Sequence, residues 1–336
     1  MRGGGGTGRD LCRLTWPAFA LVLSLACSGP GASPTSPGTV PVPPAGAGCA
    51  RTSVGFTPLS DPGSSYLGTP LGLYPGGGNA APSAHLSAGI QLASTVVPLN
   101  SSGVPDAKGR YALISVGMSN TTQEFQAFMA LAPSTNPRLA IVDGAQGGQT
   151  AANWASPGCS CWSELDNRIR QAGLTNAQVV SAWVKLANAG PTGEWPSATV
   201  QLKNDTVLVL RALAARFPNL RLAYLSSRIY AGYATSTLNP EPYAYQSGFA
   251  VRWVIEDQLS GLLPFTGASR VAPWIAWGPY LWADGLTPRR DGLTWACSDF
   301  AADGTHPSGS GQQKVAGRLL DFFRTDPTAR NWFTGS

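Results

Sequence analysis

YALISV, residues Tyr111–Val116, is a continuous apolar run that leads directly into the polar stretch GMSNT, residues 117–121. A strand that is apolar without alternation is buried on both faces, which is typical of a parallel sheet. The next segment, Thr122–Leu131, places large apolar side chains at helical spacing. The stretch therefore predicts a strand, a turn and a helix, which is the repeating unit of an α/β domain.

The same unit recurs to the end of the chain. The other predicted strands are Arg138–Val142, Gln178–Val184, Leu220–Leu225 and Val271–Trp277, and the other predicted helices are Cys161–Ala172, Val200–Phe217, Pro242–Leu259 and Gln312–Phe323. This alternation predicts a doubly wound five-stranded parallel sheet with helices on both faces. In such a sheet ligands bind beyond the carboxyl ends of the strands, so candidate functional residues are those that follow a strand.

The first 26 residues have the pattern of an export signal. A basic segment with Arg2, Arg9 and Arg13 precedes the apolar run Leu14–Ala26, which is too short to span a bilayer. Cys27 follows a small residue at the end of this run, and the site resembles a bacterial lipobox, which implies lipidation of the Cys27 thiol. Plain secretion with a different cleavage site is the alternative. Either way we expect a secreted or cell-envelope protein, with membrane contact only through an N-terminal lipid anchor.

The rest of the chain divides by composition. Residues 27–48 are rich in Pro, Gly and Ser and carry no charge, which predicts a disordered linker. Residues 49–108 have weak periodicity and predict an irregular extension that packs on the following domain, residues 109–336. Charged residues make up 12% of the chain and the formal net charge is +5. Because no block of Lys and Arg occurs, nucleic acid is not an expected partner. We also expect a monomer.

Four cysteines remain after the signal and Cys27, namely Cys49, Cys159, Cys161 and Cys297. In an exported chain they predict up to two disulfides, with three possible pairings. The pair Cys159 and Cys161 also allows a metal site, but no second cysteine pair follows it and the chain has only 2 histidines. We therefore expect disulfides, no metal site and no cofactor.

Candidate catalytic residues lie where strands end. Ser119 follows the first strand at the predicted start of a helix, where it suits either a nucleophile or a helix N-cap. A serine nucleophile needs a base, and the chain offers only His85 and His306. His306 follows the last strand and has Asp303 three residues before it, as a base and its orienting carboxylate do. The glycines around Gly148 follow the second strand and allow backbone N–H groups to approach a ligand.

This order of motifs resembles the SGNH, or GDSL-type, hydrolase family. SVGMSN contains the serine block, with Met118 where the family has Asp; DGAQGGQT is similar to the glycine block; and DGTHPSGSG is similar to the Asp-x-x-His block. Ser226–Trp253 and Trp277–Gly285 are also similar to a secreted bacterial group. The resemblance implies a catalytic set of Ser119, Asp303 and His306, and oxyanion donors from Ser119 and Gly148.

The sequence allows two candidates for the third oxyanion donor. The Gly-x-Asn-Asp block of the family is absent from AWVKLANAGP, so the resemblance leaves two candidates, Lys185 as a cationic donor or Asn188 from a shifted loop. His85 is an expected substrate contact or a structural residue.

The resemblance implies an ester hydrolase that works without a cofactor. Tryptophans cluster after the third and fifth strands and suit stacking on sugar rings, although they also suit a core: Trp183, Trp195, Trp274, Trp277, Trp282 and Trp295. We therefore expect an acetylated or otherwise acylated carbohydrate as substrate, with Trp183 and Trp282 as substrate contacts. Lipid or small acyl esters are the next choice. A glycan-binding module on the same fold is the alternative function. A lipase with a Gly-x-Ser-x-Gly elbow is disfavoured because Ser119 lacks that motif.

Overall fold

A computed structural model describes Met1, residues 48–132 and residues 136–335. The predicted export signal, the Cys27 lipidation site and residues 27–47 of the predicted linker lie outside the described residues. The chain divides into two units, Met1–Gly38 and Thr39–Ser336. Apart from Met1, every residue described below belongs to the second unit.

Seven strands form two sheets in the described part of the chain. Strands β1 Ser65–Tyr66 and β2 Thr69–Pro70 form an antiparallel ribbon. The central sheet consists of five parallel strands: β3 Tyr111–Gly117, β4 Leu139–Val142, β5 Val179–Lys185, β6 Leu222–Leu225 and β7 Trp274–Trp277. Their order in the sheet is β4-β3-β5-β6-β7. Every residue of β3, β5, β6 and β7 is buried, which explains their continuous apolar sequences. The predicted α/β class and five-stranded parallel sheet are confirmed.

Helices connect the strands and cover the sheet. They are α1 Ser83–Ala93, α2 Ser119–Leu131, α3 Ala151–Ala155, α4 Ser160–Gln171, α5 Ser197–Arg216, α6 Tyr243–Leu259, α7 Gly309–Thr325 and α8 Arg330–Thr334. Helix α2 packs against α7, and α5 packs against α6 and α3. The five long helices that follow strands agree with the sequence prediction except at their ends. Helices α3 and α8 have 5 residues each, which is too short for a periodic pattern to show.

The segment between Cys49 and Lys108 is folded onto the sheet and is not irregular throughout. Gly89 of α1 lies against the indole of Trp274 in β7, where an added Cβ would approach within 2.3 Å. Helix α1 was not predicted because its side chains are mostly small or polar and show only a weak helical periodicity in hydrophobicity.

Two disulfides join the four cysteines of the described residues. Cys49 is bonded to Cys297, which links the N-terminal segment to the region before α7, and Cys159 is bonded to Cys161 at the start of α4. This pairing is one of the three that the sequence allows. No helix within residues 48–132 and 136–335 is long and apolar enough to cross a membrane.

Candidate active site

Ser119 is placed by the turn from β3 into α2. It is the first residue of α2, and the preceding Met118 is the N-cap, with an extended backbone and no capping hydrogen bond from a side chain. The Ser119 hydroxyl oxygen Oγ lies 2.7 Å from Nε2 of His306. The Ser119 hydroxyl therefore contacts an imidazole, and the N-cap alternative for this residue is wrong.

His306 is in turn held by Asp303. Nδ1 of His306 lies 2.5 Å from Oδ2 of Asp303, and the Oδ1 atom accepts hydrogen bonds from the backbone N–H groups of Thr305 and His306, both at 3.0 Å. With the ring proton on Nδ1 facing the carboxylate, Nε2 is free to accept the Ser119 hydroxyl proton. The structure thus brings together Ser119, His306 and Asp303 in one hydrogen-bonded series.

Hydrogen bonds stabilise the charged form of the Asp303 carboxyl group. Burial raises the pKa of Asp303, but the hydrogen bonds from the side chain and backbone of His306 and from the backbone of Thr305 outweigh that effect. The resulting pKa is below the ordinary value for an aspartate. Asp303 is therefore ionised at neutral pH and can stabilise an imidazolium on His306.

The loop that carries Asp303 and His306 is fixed by close backbone contacts. Gly304 has φ +61°, and a Cβ at this position would come within 1.9 Å of the Tyr233 carbonyl oxygen, so only glycine fits. Nδ2 of Asn120 donates to the Thr305 carbonyl at 2.8 Å, which ties the loop to the first turn of α2. This bond joins the start of α2, where Ser119 lies, to the loop that carries His306, although Asn120 and Thr305 are 185 residues apart in sequence.

A cavity of about 310 Å³ opens beside Ser119 and His306. Its lining is formed by loops that follow β3, β4, β5, β6 and β7: Met118, Ser119, Asn120, Gly148, Thr150, Ala187, Asn188, Ala189, Arg228, Leu238, Asn239, Thr305 and His306. The site therefore lies at the carboxyl edge of the sheet, where parallel α/β sheets bind ligands.

Two backbone N–H groups are available at this cavity. Gly148 has φ +76°, a conformation that glycine adopts readily, and it lines the cavity together with Ser119. Within the described residues, neither the Ser119 nor the Gly148 N–H donates a hydrogen bond. The Ser119 N–H also belongs to the first turn of α2, where the helix dipole favours negative charge.

Asn188 is the candidate third donor that reaches the cavity. Its side-chain oxygen accepts the Ala152 N–H at 2.9 Å, and its Nδ2 donates to Oδ2 of Asp205 at 2.7 Å. An amide nitrogen carries two protons, so a second donor remains on Nδ2 after the bond to Asp205. Asp205, which the sequence did not single out, orients this amide from α5.

Lys185 does not reach the cavity, and its predicted oxyanion role is wrong. Its Nζ lies 2.5 Å from both carboxylate oxygens of Glu124 in α2, and neither side chain is exposed. Burial lowers the pKa of Lys185 to about 8, although Glu124 opposes the shift, and burial raises the pKa of Glu124. Lys185 is the last residue of β5, and its side chain points to the helix layer rather than past the strand end.

The predicted substrate contacts His85, Trp183 and Trp282 are core residues, so this expectation is wrong. Nε2 of His85 donates to the Ile275 carbonyl at 2.8 Å, the ring stacks on Trp274, and burial lowers the pKa of His85. Trp183 and Trp282 are fully buried and donate to Ser226 and Glu241, respectively. None of the six tryptophans named above lines the cavity. The large indoles fill the interior because they bury much apolar area and find partners for their N–H groups.

The polar cavity residues that sequence reasoning missed include Arg228 and Asn239. Arg228 comes three residues after the end of β6, so the rule that functional residues follow strands could have found it. Asn239 lies in the long loop between β6 and α6, which carries no comparable signal. Within the described residues no group of three or more His, Cys, Asp and Glu side chains is placed to hold a metal ion.

Comparisons with solved structures give matches at low identity and low TM-score. No family model matches the chain, and no curated protein matches it. An α/β hydrolase from the metagenome of Lake Arreo, Spain, has 14% identity and a TM-score of 0.36, and the match covers 66% of this chain and 96% of that one. The periplasmic domain of a lipopolysaccharide acetyltransferase from Salmonella ser. Paratyphi A has 12% identity and a TM-score of 0.36, with 63% and 83% covered.

A protein of Bacillus subtilis has 13% identity and a TM-score of 0.35, and the match covers 64% of this chain and 56% of that protein. The chain thus spans little more than half the length of this protein. These TM-scores are too low for the likeness to bear on the activity of this chain.

Proposed function

We propose that this protein is a serine ester hydrolase of the SGNH type, with Ser119 as nucleophile, His306 as general base and Asp303 as the residue that orients and stabilises the imidazole. The observation that supports it is the series from Ser119 Oγ through His306 to Asp303, with contacts of 2.7 and 2.5 Å, at the edge of a cavity. Serine is a weak nucleophile, and a base within hydrogen-bond reach is what activates it.

In the acylation step, Oγ of Ser119 attacks the ester carbonyl carbon while Nε2 of His306 takes the hydroxyl proton. The tetrahedral intermediate then breaks the bond to the alcohol oxygen, which leaves with the proton from Nε2. Water attacks the acyl-enzyme, gives a proton to Nε2, and the acid leaves as the Ser119 hydroxyl is restored. The N–H groups of Ser119 and Gly148 and the side-chain amide of Asn188 are the proposed oxyanion donors.

The substrate is proposed as an acyl ester. A carbohydrate ester was expected from the tryptophans, but five of the six lie in the core and Trp195 packs partly buried against it. None of them lines the cavity, so they lend this expectation no support. We also propose that the protein acts outside the cytoplasm, on the basis of the N-terminal sequence alone, and that it is a monomer.

Fluorophosphonate labelling tests the proposal, because the reagent reacts with activated serines. We expect the protein to be labelled, and Ser119→Ala and His306→Ala to lose the label while remaining folded. Ser163→Ala is the matched control, since it removes a hydroxyl from the exposed face of α4. A folded protein that takes no label would contradict the hydrolase and favour a binding module that uses the same cavity.

A further inference from the structure

Arg228 is a cation in the wall of the candidate active site. It follows β6 at the carboxyl edge of the sheet and lines the same cavity as Ser119 and His306. Only 1% of the residue is exposed, and its backbone N–H is anchored by Oγ of Ser247 at 2.9 Å. The main chain of Arg228 is therefore held in place, and its guanidinium is shielded from bulk water.

The guanidinium has almost no partners of its own. It carries five N–H donors, yet in the described part of the chain its one hydrogen bond runs from Nη2 to the Thr305 carbonyl at 3.5 Å. Nε has no partner, and Arg228 forms no ion pair with a described carboxylate. Arg289 shows the usual arrangement for a buried arginine: it makes two bonds to Asp291 and donates to the carbonyls of Tyr280 and Trp282.

The carboxylates near Arg228 are occupied elsewhere. Glu124 and Glu241 are close enough to interact with it electrostatically, as is Asp303. Both oxygens of Glu124 accept from Lys185, and Asp303 holds His306. Glu241 accepts from three N–H groups, those of the Trp282 indole and of the Ala231 and Tyr245 backbones. Each of these carboxylates bonds to other groups, and none of them accepts a hydrogen bond from Arg228.

A second cavity residue also has an unused polar atom. Nδ2 of Asn239 donates to the Asn188 carbonyl at 3.1 Å, which fixes the orientation of the amide. Its oxygen Oδ1 is buried and has no donor among the described residues. Buried polar groups are normally satisfied, so unsatisfied polar atoms in two residues that line one cavity indicate a place for a polar ligand.

We infer that Arg228 binds an anionic group of the substrate, a carboxylate, while Ser119 attacks the ester. This inference rests on the proposed function and deepens it. The planar fork of a guanidinium matches the two oxygens of a carboxylate, and the interaction is stronger where water is excluded. A carboxylate would also offset the cost of burying the Arg228 charge without a partner. A hydroxyl or N–H group beside the carboxylate would satisfy Oδ1 of Asn239.

Binding to the Ser119→Ala protein tests the inference without requiring turnover. The probes are succinate, glutarate and adipate, each compared with its uncharged diamide by isothermal titration calorimetry. We expect at least one diacid to bind more tightly than its diamide, by about tenfold or more. The reason is that a hydrogen bond from Arg228 to a carboxylate is stronger than one to a neutral amide. Adding Arg228→Gln should remove the preference, whereas Arg290→Gln, which removes an exposed positive charge, should keep it.

Equal binding of every diacid and its diamide would overturn the inference, and so would a preference that survives Arg228→Gln. If Arg228→Gln does not fold, the test uses the unaltered protein, in which the preferred diacid should slow fluorophosphonate labelling of Ser119. A diacid that binds but does not slow this labelling would overturn the inference. A protein that binds diacids through Arg228 but takes no label would disprove the hydrolase and leave the anion site standing.

Discussion

The ammonium of Lys185 lies 2.5 Å from both carboxylate oxygens of Glu124, and neither side chain is exposed. This buried ion pair joins the end of β5 to the helix α2, whose first residue is Ser119. The carbonyl of Lys185 also accepts the Thr121 hydroxyl at 2.8 Å, so both ends of the lysine hold α2. We interpret Lys185 as a structural residue that holds α2, and with it Ser119, in place.

Lys185→Met should destabilise the protein by about 3–5 kcal/mol, because it leaves the Glu124 carboxylate buried without a partner. Urea unfolding at pH 7 measures the change. The double variant Lys185→Met and Glu124→Leu should recover most of the loss, since it removes both charges. If Lys185 were an oxyanion donor, Lys185→Met would instead lose activity at nearly unchanged stability.

Asn188→Ala should lower kcat by about 10²–10³ for a soluble ester such as p-nitrophenyl acetate, because it removes a donor to the oxyanion. KM should change much less, since the donor acts mainly on the transition state. Asn188→Asp keeps the acceptor for the Ala152 N–H but loses the donor and places a carboxylate beside Asp205, so it should lose at least as much kcat. Full activity in Asn188→Asp would rule out this role for the amide.

Asp303→Asn should slow the reaction of Ser119 with a fluorophosphonate by about 10⁴, because an amide does not hold the His306 proton on Nδ1. The rate of labelling is measured on the folded variant, with circular dichroism as the check on folding. Asp61→Asn, a substitution of an aspartate in the N-terminal segment, is the control and should label at the unaltered rate. A normal rate in Asp303→Asn would mean that the carboxylate does not assist His306.

The ion pairs of Asp291 predict a pH dependence of stability. Hydrogen bonds from Arg289 hold the pKa of Asp291 well below its usual range, although burial opposes the shift, and Arg318 adds to it. Since the folded pKa is below the unfolded value of about 3.9, this contribution is complete above that value and is lost as the pH falls towards the folded pKa. The side chain is 44% exposed, so we expect no more than about 1 kcal/mol.

The measurement is urea unfolding of the unaltered protein and Asp291→Asn at pH 6 and pH 3. The difference in unfolding free energy between the two proteins should be smaller at pH 3. Asp321→Asn, which changes an exposed carboxylate on α7, is the control. A difference that is the same at both pH values would show that Asp291 carries no stabilising charge interaction.

Much of the fold could be predicted from local sequence. The run Tyr111–Val116 is buried throughout in β3, and its apolar character is sufficient to mark a strand that lies between two helix layers. Helix α1 was missed because its periodicity is weak, and the predicted strand Val271–Trp277 is shorter in the structure, where β7 begins at Trp274. Local sequence thus identified the elements that bury large apolar surfaces and missed those that are short or mixed in character.

The site shows the same division. Ser119, Gly148, Asn188 and His306 all line the cavity, because residues that follow parallel strands meet at one edge of the sheet. Lys185 occupies the same kind of position in sequence, but its side chain turns to Glu124. Side chains alternate between the faces of a strand, so position in sequence does not reveal which residue at a strand end faces a helix.

The sequence by itself determined the order of strands and helices, the cysteine set and the residues at the strand ends, because these depend on composition and spacing along the chain. Only the tertiary structure decided that the Ser119 hydroxyl contacts His306, that the tryptophans pack in or against the core, and that Arg228 and Asn239 line the cavity. These contacts join residues far apart in sequence, and the packing of whole helices and loops against the sheet decides where each side chain points.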